Sequence, residues 1–241
     1  MNIILPRDED PRLARRIPQD WEHVTKYMLT TETTPTVPTP VVIGVNWYES
    51  FYRPIKKDRR LWVGLDSKNL GRLMGGHCVC LKPPSMTDPY SWYDYYNQGQ
   101  EGACVGFGST RAMSLIERIR FDARWLYLEA QLVDAWQETP PEEGTSVRAA
   151  FDILRAKGHK KVTRGKSALT PDLKYGIVRN RWARSVDEVI EALGAPQLYD
   201  IGGIPFLNSW GRDYPHIVYF PLETFQRLLD EYGEATLFTA A

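Results

Sequence analysis

A glutamine, a glycine-rich loop and a cysteine form the segment of this sequence best suited to chemistry. The run is Asn97-Gln98-Gly99-Gln100-Glu101-Gly102-Ala103-Cys104, and a helical pattern follows it. Because glycines permit a tight loop, the segment would place Cys104 at a helix N-terminus, where positive partial charge and free N–H groups favour a thiolate. The Gln98 amide can then donate to a developing oxyanion. These residues predict a nucleophilic thiol, although a cysteine after glycines is more often a small buried hydrophobe.

A thiolate nucleophile needs a base that takes its proton, and the base needs a partner that orients it. The sequence contains four histidines. His23 lies in a polar arm, His159 in a lysine-rich stretch and His216 just after a proline, and we expect each of them at the surface. His77 differs because it follows two glycines and begins an apolar strand. It is therefore the candidate base.

The segment His77-Cys78-Val79-Cys80 also raises the question of a metal site. In a strand, side chains alternate between faces, which puts His77 and Val79 on one face and Cys78 and Cys80 on the other. The ligands would point in opposite directions, and no fourth ligand is evident. We therefore expect no metal and no cofactor.

The third element is Phe206-Leu207-Asn208-Ser209-Trp210-Gly211. An asparagine at the end of an apolar strand can accept the ring N–H of a histidine and fix its tautomer. The adjacent Trp210 would shield that hydrogen bond from water and so strengthen it. Taken alone, the motif is equally typical of a turn with a core tryptophan.

Together these motifs resemble papain-like cysteine peptidases. The Gln98–Cys104 loop resembles the nucleophile segment of that family, Gly75-Gly76-His77-Cys78-Val79 its histidine strand, and Asn208-Ser209-Trp210-Gly211 the segment of its third catalytic residue. Glu143-Gly144-Thr145-Ser146 resembles the glycine-containing edge of the family's substrate cleft, where a glycine backbone pairs with an extended peptide.

The resemblance implies an α+β papain-like fold with two lobes, one helical and one an antiparallel sheet or barrel, and an active-site cleft between them. It implies Cys104 as nucleophile, His77 as base and acid, Asn208 as its orienting partner and Gln98 as oxyanion donor. It also implies Gly102, Gly144 and Trp210 in substrate binding, and a peptide or protein as substrate. The expected function is a thiol hydrolase that cleaves peptide or isopeptide bonds through an acyl-enzyme.

Two features depart from the family pattern. The family order is Cys, His, Asn, whereas here His77 precedes Cys104 and Asn208, as if a two-strand block had moved to the front of the chain. Triads are defined by geometry rather than by chain order, so the site requires the moved strand to lie beside the Asn208 strand in one sheet. In addition, Val105 stands where the family commonly has tryptophan.

Two alternative functions stay open: an acyltransferase with the same chemistry, and a catalytically silent module that binds a partner.

The composition of the chain limits the classes of partner that we expect. The 30 basic and 30 acidic residues cancel, which gives no electrostatic reason to expect nucleic acid or an anionic membrane. The sequence has no apolar run long enough to cross a bilayer and no secretory leader pattern at its start. Three cysteines, two of them one residue apart in a strand, make a disulfide framework improbable. We expect a free thiol in the cytoplasm or another reducing compartment, which would suit a bacterial or phage-encoded protein.

The sequence predicts a polar arm over residues 1–40, ending in a Thr/Pro tract that favours extended chain, and one catalytic domain over 41–241. The arm offers a surface for an assembly partner. Predicted strands cover 41–48, 61–65, 75–81, 204–208 and 216–220, and predicted helices cover 104–120, 123–136, 147–157, 186–193 and a final helix after Pro221. Residues 159–181 are basic and aperiodic, which predicts a loop.

Overall fold

The computed structural model describes residues 37–87, 96–135 and 143–241, and within these ranges the chain forms ten strands and six α-helices. The strands are β1 (Val41–Tyr48), β2 (Ile55–Lys57), β3 (Arg60–Trp62), β4 (Leu73–Leu81), β5 (Val162–Thr163), β6 (Lys166–Ser167), β7 (Ile177–Ala183), β8 (Gly203–Leu207), β9 (Val218–Pro221) and β10 (Glu234–Ala240). The helices are α1 (Cys104–Glu117), α2 (Ala123–Val133), α3 (Val147–Lys157), α4 (Val186–Ala192), α5 (Gln197–Ile201) and α6 (Leu222–Asp230). Short 3-10 turns cover Glu49–Tyr52, Leu173–Tyr175 and Gly211–Asp213.

Eight strands form one mixed sheet in the order β2-β3-β9-β8-β4-β1-β10-β7, and β5 and β6 form a separate hairpin. The pairs are antiparallel except β3 with β9, which is parallel. The fold is therefore α+β, as expected. The parallel pair departs from the expected antiparallel sheet, and within the described residues no pairing joins β2 to β7 to close a barrel.

The sheet meets the main topological requirement of the site. Strand β4, which carries His77, pairs on one side with β1 and on the other with β8, the strand that ends beside Asn208. Cys80 lies opposite Leu207 and Leu81 opposite Phe206. The expectation that the strand of His77 lies beside the strand that precedes Asn208 is confirmed.

Two apolar cores lie on opposite faces of this sheet. One contains Val79 and Trp47 and is covered by α4, α5 and α6; the other contains Cys78 and Cys80 and is covered by α1, α2 and α3. The alternation predicted for β4 is therefore confirmed.

Local capping signals set the helix ends where the sequence places them. The Ser146 hydroxyl accepts the Ala149 N–H at the start of α3, and Gly158, at φ +73°, ends that helix. The Ser185 hydroxyl accepts the Glu188 N–H at the start of α4. Such caps satisfy N–H groups that a helix leaves unpaired.

The loop prediction for 159–181 is wrong at both ends, because β5 and β6 form a short hairpin and β7 begins at Ile177. Strand β10 and helix α5 were not anticipated. Strand β7 lies at the edge of the sheet and most of its residues are only partly buried, so it lacks the alternation that predicts a strand. Strand β10 is stabilised by pairing with both β1 and β7, which are far from it in sequence.

The surface position predicted for His159 is also wrong. Its side chain is fully buried, its ring stacks on Phe121 at 4.7 Å, and its Nδ1 accepts the Lys160 N–H at 2.9 Å. Because Nδ1 is the acceptor, Nε2 carries the proton and donates to the Thr110 hydroxyl at 2.8 Å. Burial lowers the pKa of His159 to about 3.

This burial predicts acid destabilisation. Because the folded-state pKa of His159 lies below its unfolded value of about 6.5, the unfolded chain binds the proton first, and stability falls as the pH decreases from 6.5 toward 3. As the pH decreases, we expect the free energy of unfolding of His159→Gln to fall less steeply than that of the wild type. The difference between the two slopes should be roughly 1 kcal/mol per pH unit. Urea unfolding at several pH values between about 4.5 and 6.5 measures the difference. Equal slopes for the two proteins would contradict the prediction.

The end of the predicted arm contacts the domain. Residues 1–36 lie outside the described residues, but the Thr39 N–H donates to the Ala192 carbonyl at 2.8 Å and Pro40 is buried. None of the helices in the described ranges is both long and apolar enough to cross a membrane.

Candidate active site

The His77 ring is held by Asn208. His77 lies on β4 and is 4 % exposed, and its Nε2 is 2.8 Å from the Asn208 Oδ1. The same Oδ1 is 2.7 Å from the Ser209 backbone nitrogen. Because a backbone N–H only donates, the shared atom is the oxygen of the amide, and His77 must therefore donate to it from Nε2. The proton is thus fixed on Nε2, which leaves the lone pair of the neutral ring on Nδ1.

Two tryptophans enclose this hydrogen bond. The Trp210 ring lies 4.7 Å from the His77 ring, and the fully buried Trp47 meets it edge-on at 4.6 Å. Trp210 in turn stacks on Tyr52 at 5.3 Å. The shielding predicted for Trp210 agrees with this geometry, whereas Trp47 and Ser209 were not anticipated. The position of Ser209 next to Asn208 could have indicated its role in the site. Nothing in the sequence indicated Trp47, because the pattern of β1 predicts only a buried strand.

Cys104 is the first residue of α1 and is fully buried. It lines a cavity of about 30 Å³ together with His77. Such a space holds about one or two water molecules. The other residues of the wall come from β1, β4, α1, the start of α3 and β10: Gly44, Val45, Gly76, Cys78, Val105, Thr145, Ser146, Val147 and Glu234.

Burial controls the protonation of both reactive groups. It raises the pKa of the Cys104 thiol to about 11, although backbone N–H groups of Cys78, Val105 and Cys104 itself act in the opposite direction. It lowers the pKa of His77 to about 4, against the hydrogen bond to Asn208. The expected thiolate is therefore a neutral thiol at pH 7 in this structure, because desolvation outweighs the helix N-terminus. Burial likewise raises the pKa of Glu234, the carboxyl on the cavity wall.

Gln98 lies on the loop before α1 and is 5 % exposed. Its Oε1 accepts the Ser209 hydroxyl at 2.7 Å, and its backbone N–H donates to the Ser209 carbonyl at 2.9 Å. Its Nε2 donates to the Glu101 carbonyl at 3.0 Å. Since an amide nitrogen carries two protons, one N–H is left over. Ser209 thus connects the Gln98 loop to Asn208, a link that the sequence did not reveal.

The two glycines predicted to bind substrate lie together. A Cβ on Gly102 would be 3.2 Å from the Gly144 nitrogen, so the chains approach closely there. The Gly144 carbonyl accepts from the Gln131 side chain at 3.1 Å, and its N–H reaches the Tyr127 hydroxyl at 3.4 Å. Pairing with a peptide at Gly144 stays a prediction, and it would compete with these two contacts.

The structure thus brings His77, Asn208, Ser209 and Gln98 into one hydrogen-bonded group, beside a cavity that His77 shares with Cys104. No group of three or more His, Cys, Asp or Glu side chains within 37–87, 96–135 and 143–241 is arranged to hold a metal ion. No family model, no curated protein and no solved structure matches the chain.

Proposed function

We propose that the chain is a papain-like thiol hydrolase of peptide or isopeptide bonds. The observation that carries this proposal is the hydrogen bond from His77 to Asn208, which leaves a lone pair on the Nδ1 of His77, a residue that shares a cavity with Cys104. Nucleophilic catalysis requires a histidine with a fixed tautomer and a thiol at a helix N-terminus, and here both residues line one cavity.

The proposed reaction starts from a neutral thiol and a neutral imidazole. As the Cys104 Sγ attacks the carbonyl carbon, its proton moves to the His77 Nδ1, and the carbonyl oxygen takes the negative charge. The Cys104 N–H and the free N–H of Gln98 donate to that oxygen. When the C–N bond breaks, the imidazolium gives its proton to the leaving amine, and a thioester remains. A water molecule, deprotonated by His77, then attacks the thioester and releases the acid and the thiol.

In the proposed papain-like arrangement, α1, α2 and α3 form the helical lobe and the mixed sheet forms the other. The support is topological, since α1 presents Cys104 from the helical layer while β4 and β8 present His77 and Asn208 from the sheet. Peptides or proteins are the proposed substrates. An amine that captures the thioester in place of water would make the protein a transferase, and analysis of the products with and without an added amine separates the two.

An electrophilic peptide probe tests the nucleophile. We expect an epoxide or vinyl-sulfone peptide to modify Cys104 at pH 7, as mapped by mass spectrometry, because His77 accepts the thiol proton during attack. Cys104→Ala should remove the modification.

Cys80→Ala is the matched control, because Cys80 is equally buried but belongs to the core rather than to the cavity. It should leave the labelling unchanged. Equal modification of all three cysteines, appearing only at alkaline pH, would refute the proposed nucleophile.

One observation favours a second candidate, a catalytically silent module that binds a partner. Cys104 is fully buried, and its cavity is far smaller than a peptide requires. In that case no peptide electrophile modifies Cys104 at neutral pH, although a small alkylating agent does so after unfolding.

A further inference from the structure

A groove of about 1030 Å³ has Asn97, the residue next to Gln98, among its lining residues. It runs between the end of α1, the start of α2 and the β5–β6 hairpin. Five basic residues line it: Arg118, Arg120, Arg124, Lys161 and Arg164. Asp122 is the acidic residue among its lining residues. Since the whole chain has equal numbers of acids and bases, this concentration of positive charge is local.

The carboxylates that the structure describes beside the groove each have a partner. The Asp122 carboxylate caps α2, and the Glu101 carboxylate pairs with Arg124 at 3.1 Å. Of the remaining bases, Arg118, Lys161 and Arg164 are exposed and form no ion pair with any described residue. The groove therefore presents unneutralised positive charge.

The backbone adds an independent observation. Arg118 ends α1 at φ +54°, and Arg164 occupies the β5–β6 turn at φ +51°. Glycine or asparagine is favoured at both kinds of position. Of the five non-glycine residues with positive φ in the described ranges, three are arginines, and two of these, Arg118 and Arg164, line the groove. Both positions therefore carry a cation where glycine or asparagine would fit the backbone better.

The shape of the groove favours one class of polyanion. A volume of about 1030 Å³ far exceeds that of a single small anion. Single-stranded nucleic acid would need exposed rings on which bases stack, but the aromatic residues that line the groove, Tyr96, Phe107 and Phe121, are each less than one tenth exposed. A run of carboxylates on a peptide needs only the cations.

We propose that this groove is an exosite that binds an acidic stretch of the protein substrate, on the side of the site that carries Gln98. The proposal rests on the proposed hydrolase function, because the groove becomes an exosite only if Cys104 acts on a protein. Its chemistry is carboxylate recognition by Arg118, Lys161 and Arg164.

The test measures binding without turnover. Fluorescence anisotropy of a labelled glutamate-rich peptide on full-length Cys104→Ala should show binding that weakens as salt rises from about 0.05 to 0.5 M. The double variant Arg118→Gly/Arg164→Asn, made in Cys104→Ala, should bind roughly two- to thirty-fold more weakly. Both substitutions place a favoured residue at positive φ, so a loss of binding cannot be ascribed to misfolding.

Arg59→Gly is the matched control, since Arg59 also has positive φ (+63°) but lies in the β2–β3 turn, outside the groove. It should leave binding unchanged. Equal weakening by Arg59→Gly, or equal binding of oligo-thymidine and the acidic peptide, would overturn the exosite. If the wild type cleaves neutral peptides but the acidic peptide does not bind, the exosite fails and the hydrolase stands. If the peptide binds to an inactive protein, the hydrolase fails and the groove is a binding site for acidic peptides without being an exosite.

Discussion

His77→Gln is expected to lower the rate of Cys104 modification at pH 7 by about 10²–10⁴-fold, the usual contribution of a general base. Glutamine can still donate to the Asn208 Oδ1, but it cannot take a proton. In the variant, attack depends on the thiolate alone, and the thiol pKa is raised to about 11. The rate should therefore rise with pH far into the alkaline range.

The wild-type pH profile should look different. In the proposed mechanism the neutral His77 ring is the base. Its pKa is lowered to about 4, so the rate should fall only below about pH 4, where the ring becomes protonated. Labelling rates measured across the pH range for both proteins, by mass spectrometry, provide the comparison. His216→Gln is the control, because His216 lies outside the cavity. Overlapping profiles for His77→Gln and the wild type would remove His77 from the mechanism.

Gly106→Ala is expected to destabilise the protein and to disturb the candidate site together. Gly106 lies two residues after Cys104, where α1 crosses α2. A Cβ there would be 2.7 Å from the Ala123 carbonyl oxygen and 2.8 Å from the Tyr127 nitrogen. Backbone atoms of a packed helix cannot move aside singly, so α1 must shift. Overpacking costs about 1–3 kcal/mol, which outweighs the gain of up to about 1 kcal/mol from alanine in a helix.

Gly108→Ala separates this clash from helix propensity. Gly108 lies on the same helix, but a Cβ there would meet the Cys78 Sγ at 3.0 Å, a single side-chain atom that can yield by a small shift. Urea unfolding should show Gly106→Ala less stable than the wild type and Gly108→Ala nearly unchanged. Equal stability of both variants would show that α1 and α2 adjust more easily than this packing implies.

The two predictions are linked through α1. The helix sets the position of the Cys104 sulfur, while β4 sets the position of His77, and the two elements pack against each other. A shift of α1 by Gly106→Ala should therefore slow labelling of Cys104 even in the fraction that stays folded.

Patterns among residues close in sequence determined many of the helix and strand positions in this protein. The bounds of β1, the start of α1 and both ends of α3 follow from alternation, glycine position and the Ser146 cap. The alternation along β4 placed His77 and Cys78 on different faces. These features depend on neighbours within about four residues, which is why the sequence predicts them.

Only the tertiary structure decided the rest. The pairing of β4 with β8 joins His77 to Asn208 across 131 residues, and the Ser209 N–H, rather than any motif, fixes which ring nitrogen carries the proton. The burial of His159, the strands β7 and β10, and the neutral state of Cys104 depend on which distant segments cover them. Desolvation and long-range pairing arise from the whole packed chain. The sequence therefore indicated the candidate residues, while the fold determined their contacts and their charge.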